Sequence, residues 1–371
     1  MPKYTPLDFQ MMSRAIQLAK RGIYTTAPNP NVGCVIVNNG QIVGEGYHHK
    51  AGEPHAEVHA LRMAKEQSEG ATAYVTLEPC SHYGRTPPCA EGLINAKVAK
   101  VICAMEDPNP KVAGRGISML RDAGVEVEVG LLEQDAIALN PSFIKRMQTG
   151  MPFVQVKMAA SLDGQTALAN GKSQWITSKE ARQDVQNYRA KSGSILSTSQ
   201  TVIEDNASLN VRWTELPVSL QQSYPAELVR QPARIILDRK NELHADLKLF
   251  HLTTPIMRVA EQEADINIGL DECGQLNLRE LFSELPKRNI DHVWVEAGAT
   301  LASSLIKQQL VDELVLYLAP KLMGSDGRGL LGTLGLTDMS DVLDLEIKDV
   351  RQVGQDIRIV AQPLWKASEI N

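Results

Sequence analysis

Apolar and polar positions along the chain switch between a helical period and an alternating one, and the whole series is run through twice. Phe9, Met12, Ile16 and Ala19 recur at helical spacing behind Asp8, which predicts a helix capped by Asp8 and ending near Gly22. The period then falls to two. Residues 32–37 and 41–43 are β-rich runs on either side of Asn38-Asn39-Gly40, and Asn-Gly between such runs predicts a hairpin. A helix over 55–65, a strand over 73–77, a helix over 90–96, a strand over 100–104, a helix ending at Ala123 and a strand over 125–129 follow. Strands alternating with helices predict a layered α/β domain.

The pattern breaks at Thr149-Gly150-Met151-Pro152, behind a helix that ends near Lys145-Arg146, and then restarts. The second series predicts a strand over 153–158, a helix over 178–191 capped by Ser178 and a strand over 234–237. A strand over 292–296 then runs through Gly298 into a helix over 301–308. Residues 215–231, polar with two prolines, are expected to form a surface excursion. A chain of 371 residues is long enough for two cores, so the expectation is two α/β domains, 1–148 and 152–371.

Charge and cysteine usage narrow the functional classes. Lys and Arg number 38 against 44 Asp and Glu, a net charge of -6, which gives no global field for a polyanion. Nucleic acid is therefore not an expected partner, whereas a small phosphorylated substrate needs only a local basic pocket. No apolar run approaches the roughly 18 residues of a membrane span, and residues 1–21 are amphipathic rather than signal-like. Five cysteines form an odd, sparse set that reads as reduced thiols or metal ligands, in keeping with a soluble cytoplasmic protein. Cys34, Cys103 and Cys273 sit in or near apolar runs and are expected to be small buried hydrophobes.

The sharpest chemical signal is His55-Ala56-Glu57, followed by Glu78-Pro79-Cys80 and then Cys89. An imidazole and two thiolates suit zinc, and three protein ligands leave a fourth position for water. Glu57 is then the carboxylate that carries protons beside the metal. Residues two apart diverge on a helix, but at its N-terminus both side chains can lean past the end, so His55 and Glu57 are expected there. If Cys80 also opens a helix, the positive end of the dipole helps hold its thiolate. Two other readings stay open at this point. One is a closed structural zinc with His59 or His82 as fourth ligand; the other is a deaminase acting on bases in tRNA or single-stranded DNA, against which the acidic balance argues. Gly327-Arg328-Gly329-Leu330-Leu331-Gly332 fits a dinucleotide fingerprint by letter, yet it follows no strand and opens no helix, so it is read as a glycine-rich loop.

With these residues in view, the chain resembles the bifunctional riboflavin-biosynthesis deaminase/reductase family over nearly its whole length. The resemblance rests on Pro28-Asn29-Pro30-Asn31-Val32-Gly33, on Gly52-Glu53-Pro54-His55-Ala56-Glu57, and on Glu78-Pro79-Cys80-Ser81-His82 continuing to Arg85-Thr86-Pro87-Pro88-Cys89. It implies a cytidine-deaminase-like three-layer domain followed by a dihydrofolate-reductase-like one, with Zn2+ and NADPH as cofactors and a homo-oligomeric assembly. In the first domain it implies His55, Cys80 and Cys89 as zinc ligands, Glu57 as proton shuttle, and Asn29, His48 and His82 as contacts for the pyrimidine. The implied substrate is a diamino-hydroxy-pyrimidine bearing a phosphoribosylamino group; its exocyclic amine is replaced by oxygen and its ribose is then reduced to ribityl.

In the second domain the matching stretches are Lys157-Met158-Ala159-Ala160-Ser161-Leu162-Asp163-Gly164, Ser173-Gln174-Trp175-Ile176-Thr177 and Val295-Glu296-Ala297-Gly298-Ala299-Thr300-Leu301. The resemblance implies that Ala159, Trp175, Thr201 and Glu296, Ala297, Gly298, Ala299, Thr300 and Leu301 contact the cofactor. It implies substrate contacts from Ser173, Arg189, Asp205, Leu209 and Arg212, with Lys157 a further catalytic candidate. The strand-to-helix turn at Gly298 independently offers free amides to a pyrophosphate, and Arg189 and Arg212 offer charge to a phosphate. Where the family usually has a proline after the acidic residues near Asp205, this chain has Asn206-Ala207.

Overall fold

The computed structural model describes residues 3–83, 87–110 and 112–366, so Arg85 and Thr86 of the cysteine-bearing stretch lie outside the described residues. The chain divides between Gly150 and Met151 into two compact units, each with its own sheet.

The first unit has strands β1 (Gly33–Asn38), β2 (Gln41–Tyr47), β3 (Thr72–Val75), β4 (Lys100–Cys103) and β5 (Glu126–Val129), with helices α1 (Pro6–Ala19), α2 (Ala56–Ala64), α3 (Cys89–Asn95), α4 (Arg115–Asp122), α5 (Glu133–Leu139) and α6 (Pro141–Thr149). The sheet runs β2-β1-β3-β4-β5, with β1 antiparallel to both neighbours and β3 to β5 parallel. The period of two in β1 sorts its side chains. Cys34 and Ile36 pack with Ala56, Ala60, Leu93 and Leu120 of α2 to α4, while Val35 and Val37 pack with Met12, Ile16 and Ala136 of α1 and α5. Three layers result. Two glycines in β2 let α2 lie directly on the sheet: a Cβ on Gly44 would meet the Ala60 carbonyl at 2.2 Å, and one on Gly46 the Ala56 carbonyl at 2.3 Å.

Helix α1 starts earlier than its apolar pattern suggests. Thr5 is the cap; its hydroxyl accepts from the Asp8 amide (3.3 Å) while the Asp8 carboxylate accepts from the Thr5 amide (2.7 Å). Asp8 is thus the third residue of a reciprocal capping box rather than the cap itself.

The second unit holds β6 (Phe153–Ser161), β7 (Gln165–Ala167), β8 (Ser194–Thr198), β9 (Ala233–Leu237), β10 (Ile256–Ala260), β11 (Ile266–Asn267), β12 (His292–Glu296), β13 (Glu313–Ala319), β14 (Arg328–Gly329), β15 (Leu345–Val353) and β16 (Asp356–Pro363). Its helices are α7 (Lys179–Lys191), α8 (Ser199–Asp205), α9 (Val218–Ser223), α10 (Leu278–Glu284) and α11 (Ala299–Lys307). Nine strands form one sheet in the order β11-β10-β9-β8-β12-β6-β13-β16-β15. It is parallel from β11 to β13, and β16 and β15 close it as an antiparallel pair. Val293 and Val295 face the core under α10 and α11, and Trp294 between them faces the core under α7 and α8.

The 215–231 stretch lies mostly at the surface, as expected; it contains α9 and is pinned by buried Leu216 and Tyr224, the Tyr224 carbonyl accepting from Trp213 Nε1 at 2.8 Å. One expectation is corrected here. Cys273 is exposed, because it occupies a turn in which Asp271 Oδ1 accepts from the Cys273 and Gln275 amides, both at 2.9 Å. Cys34 and Cys103 are buried. The glycine-rich run contributes β14, which pairs with β7.

Candidate functional site

In the first unit, His55 is the N-cap of α2 in extended backbone, Glu57 lies in the first turn, and Cys89 is the first residue of α3. Cys80 opens no helix. It sits in the loop after β3, and the Cys89 amide donates to its sulfur at 3.3 Å, so the helix end that serves this thiolate begins at Cys89. His55 Nδ1 is 3.6 Å from Cys80 Sγ and 3.4 Å from Cys89 Sγ, and all three donor atoms lie within 4.8 Å of one another.

Those distances test the fit to zinc. With Zn–S near 2.3 Å, Zn–N near 2.0 Å and tetrahedral angles, N and S ligands stand about 3.5 Å apart, which is what His55 shows toward both sulfurs. Among the described residues the cluster comprises three donors. His59 stacks on His49, ring centroids 4.1 Å apart, and His82 is outside the cluster. The hydrogen bonds with Cys89 and His55 hold the Cys80 thiol well below the usual thiol range. The bond to that thiolate, together with burial, pushes Cys89 up.

Glu57 is 3% exposed, and its Oε2 has no hydrogen-bond partner. Burial raises the Glu57 carboxyl above the ordinary carboxylate range, opposed by the nearby His55. An unpartnered carboxylate oxygen beside a metal donor set is equipped to exchange protons with a bound group.

Asn29 and His48 stand on the same side as His55. His48 Nδ1 is 3.2 Å from the Pro54 carbonyl, which can only accept, so the proton sits there and Nε2 accepts from Asn29 Nδ2 at 3.3 Å. Burial holds the His48 imidazole down, hence neutral. The His48 and His55 rings meet edge to face at 5.4 Å. His82 is exposed and lines a cavity of about 520 Å³ with Ser81, Asn109, Val112, Arg115 and Met119.

In the second unit Glu296 to Leu301 and Thr201 lie at or beyond the carboxyl ends of β12 and β8, where parallel α/β sheets place their ligands. Glu296 ends β12, Ala297 and Gly298 make the turn, and α11 opens at Ala299 with Thr300 and Leu301 in its first turn. No side chain caps α11, and a Cβ on Gly298 would enter open space. Thr201, in the first turn of α8, donates its amide to Thr198 Oγ1 at 3.2 Å. Lys157 and Ala159 lie on β6, with Lys157 directly across from Glu296.

The two arginines are not free charges. Arg189 grips Glu296 through Nε (2.6 Å) and Nη2 (2.9 Å) and gives Nη1 to the Asn210 carbonyl (3.0 Å). Arg212 is paired with Glu215 (2.6 and 2.8 Å) at the surface. Burial alone would raise the Glu296 carboxyl; the charge and bonds of Arg189, helped by Lys157 and Trp294, outweigh it and hold Glu296 at about 2. Burial pulls the Lys157 amine down, Arg189 adds to this, and Glu296 and Asp205 oppose it.

Asp205 ends α8 and accepts from Gln174 Nε2 at 3.0 Å. Asn206 takes the left-handed conformation and accepts from the Lys248 amide at 2.9 Å, so the turn is closed without a proline. Leu209 is buried and Ser173 half-buried. Trp175 is 65% exposed, with the Arg182 guanidinium 4.5 Å from its ring centre.

Comparison with known proteins bears on both units. Residues 6–105 match the family described as the cytidine and deoxycytidylate deaminase zinc-binding region, and residues 152–359 match the RibD C-terminal domain. The riboflavin biosynthesis protein RibD of Haemophilus influenzae is 53% identical over 369 residues, covering 98% of this chain and 99% of the relative. The chain belongs to the RibD family. The Escherichia coli RibD protein is 50% identical, covering 94% of this chain and 98% of its own. The solved RibD of Acinetobacter baumannii (form 1) superposes with a TM-score of 0.90 at 47% identity, covering 97% and 99% of the two chains. A Thermotoga maritima structure, described as a diaminohydroxyphosphoribosylaminopyrimidine deaminase/5-amino-6-(5-phosphoribosylamino)uracil reductase, gives 0.83 at 33% identity, covering 96% and 99%. As a RibD-family chain this protein is a bifunctional deaminase and reductase of riboflavin biosynthesis, with zinc and NADPH as its cofactors.

Sequence reading missed several side chains at the two RibD sites. Glu78 was visible as the residue before Pro79-Cys80, but its partners lie 29 to 39 residues further on. Lys321 donates to the Trp175 and Ile176 carbonyls at 2.8 and 2.7 Å, and Arg182 covers the Trp175 ring. Lys321 carries no local signal, because it acts on a loop 146 residues away, whereas Arg182 lies seven positions after Trp175 and its stacking shows only once α7 is formed.

Proposed function

We propose that residues 1–148 deaminate diaminohydroxyphosphoribosylaminopyrimidine and that residues 152–371 reduce the resulting 5-amino-6-(5-phosphoribosylamino)uracil to its ribityl form, in the cytoplasm. No described helix is long and apolar enough to cross a membrane. The observation that carries the reading is the cluster of His55, Cys80 and Cys89 beside the unpartnered oxygen of buried Glu57.

His55, Cys80 and Cys89 would hold the zinc, which when bound lowers the pKa of a water and makes it nucleophilic. Glu57 would carry one proton to the ring nitrogen as the water oxygen adds to the ring carbon, and a second from that oxygen to the exocyclic amine, which leaves as ammonia. Asn29 keeps one N–H and its Oδ1 for the pyrimidine edge, and neutral His48, held by Pro54, orients that amide and lies against the ring. His82 closes the cavity side.

In the second unit the uncapped start of α11, with Glu296, Ala297, Gly298, Ala299, Thr300 and Leu301, fits the cofactor's phosphates, and Ala159, Trp175 and Thr201 complete its contacts. Bound NADPH supplies the hydride for the ribose carbon. Ser173, Asp205, Leu209 and Arg212 flank the sugar, and Lys157 stands across from Glu296 to supply a proton. Arg189 acts through Glu296 rather than on a phosphate, since its planar edge is already occupied.

A crossed pair of variants tests both halves. Glu57→Gln should keep its zinc and lower ammonia release by about 10²–10⁴-fold while NADPH oxidation with the uracil intermediate stays at the parent rate. Asp205→Ala should do the reverse, with NADPH oxidation falling and ammonia release intact. Loss of both activities in either folded variant would sink the division of labour.

We also propose that the chain is a homo-oligomer. In β15 and β16 a register shift between Ile347 and Asp349 leaves Leu345, Ile347, Val350 and Ile357 on one face of the sheet, and all four are exposed, Ile347 at 62%. An apolar edge of this kind suits a second copy. Sedimentation of the full chain as a monomer at micromolar concentration would remove the proposal.

A further inference from the structure

We propose that Glu78 is a positioning residue of the deaminase site, a clamp that sets the Cys80 ligand and the wall of the adjoining cavity together. This rests on the reading of His55, Cys80 and Cys89 as the zinc ligands. The Glu78 side chain is buried at 4% exposure, and among the described residues its side-chain hydrogen-bond partners are all backbone amides. Those amides meet its charge. Oε2 accepts from Asp107 (3.1 Å) and Gly114 (3.0 Å), and Oε1 accepts from Gly116 (2.8 Å) and Ile117 (3.2 Å). Two of these amides belong to the first turn of α4, so the carboxylate also meets the positive end of that helix. Only a carboxylate offers enough acceptor positions for four donors from one side chain.

The clamp lies two residues before a metal ligand. The Glu78 amide donates to the Met105 carbonyl at 3.0 Å, which ties the same residue to the strand end that leads into the second loop. The Pro79 carbonyl packs against Gly116 so closely that a Cβ there would meet it at 2.0 Å. On the other side the Cys80 carbonyl accepts from the Ala90 amide (3.2 Å) and its sulfur from the Cys89 amide (3.3 Å). Cys80 is therefore fixed in front by α3 and behind by Glu78. The described residues that Glu78 gathers, 107–110 and 112–117, include Asn109, Val112 and Arg115, which line the cavity together with Ser81 and His82. Moving one wall moves the ligand, because one carboxylate holds both.

Glu78→Gln in the full chain tests the coupling. Its amide keeps one acceptor oxygen and turns two N–H groups toward amides that also donate. The expected result is roughly tenfold weaker zinc binding in competition with a chromophoric chelator, an altered absorption spectrum of the Co2+-substituted protein and a raised deaminase KM, with the reductase rate at the parent value. Parental zinc affinity and an unchanged Co2+ spectrum in the folded variant would overturn the proposal, whatever its melting temperature. Should the variant not fold, the unmodified protein still decides. The coupling is reciprocal, so stripping zinc should speed hydrogen exchange at Gly114, Gly116 and Ile117, and unchanged exchange there overturns it. Failure of the parent chain to bind one zinc would instead strike the ligand assignment, and the clamp with it.

Discussion

The two active regions are built on opposite plans. In the deaminase unit the metal donors and Glu57 fall within residues 55–89, and the backbone aims them: a helix cap for His55, a first turn for Glu57, a helix start for Cys89. In the reductase unit the residues span 157–301, and side chains aim one another. Arg189 reaches Glu296 across 107 positions, Gln174 reaches Asp205 across 31, and Lys321 holds the Trp175 loop across 146. A site made of rare donors is specified by residue type. A site made of ordinary charged residues is specified by its pairings, which exist only after folding.

The sharpest way to break this contrast is to remove a donor. Cys80→Ser or Cys89→Ser should lose most bound zinc and at least 10²-fold in deamination, because a hydroxyl is a poor zinc ligand at neutral pH. NADPH oxidation should stay intact. Elemental analysis showing one zinc per chain in both variants would dissolve the contrast. A middle-sized effect is expected from the pair Ile347→Lys and Val350→Lys, which places charge on the exposed β15–β16 face. Sedimentation should shift toward smaller species while ammonia release is unchanged, and an unaltered profile would detach that face from assembly.

The smallest effect concerns a polar chain inside the reductase sheet, where His292 Nε2 meets Gln155 Oε1 at 2.7 Å and Gln155 in turn bonds Glu313. Burial, reinforced by Arg230, holds the His292 imidazole down to about 4. The unfolded chain takes up that proton near 6.5. The stability contributed by keeping the ring neutral is therefore full above pH 6.5 and lost as pH falls toward 4, on the order of 3 kcal/mol. Denaturant midpoints of the second unit between pH 7 and 4 should fall less in His292→Gln than in the parent; parallel slopes would exclude this histidine as the cause.

What the sequence made legible follows the same division. The alternation of strands and helices was readable in the first unit because periods of two and 3.6 survive where one face is buried; in the second only β6, β9, β12, α7 and α11 were located, and β8, β10, β13, β15 and β16 were not. The His55-Cys80-Cys89 set was readable because imidazole and thiols at that order have few other uses. Glu78 was not, since its meaning depends on amides of α4 that come close only when β3 and β4 pair. Arg189 read as a phosphate cation because the sequence shows a charge and not its partner; the fold gives it to Glu296. The Asp8 cap was misplaced by one box, since Thr5 and Asp8 each accept from the other and either type caps helices.

The two glycines of β2 give the deaminase a machining tolerance. Helix α2 rests on bare backbone at Gly44 and Gly46, so its distance from the sheet is set by atoms that are missing rather than by side chains that could flex. One added methyl at either place would meet a carbonyl at 2.2 or 2.3 Å and lift the helix by about an ångström before ordinary contact is restored. His55 and Glu57 ride at the near end of that helix and would move as one piece, a displacement of the size that costs a catalyst about 10²-fold. The accuracy of a metal-dependent proton transfer is thus held, at some remove from the metal, by the absence of two methyl groups.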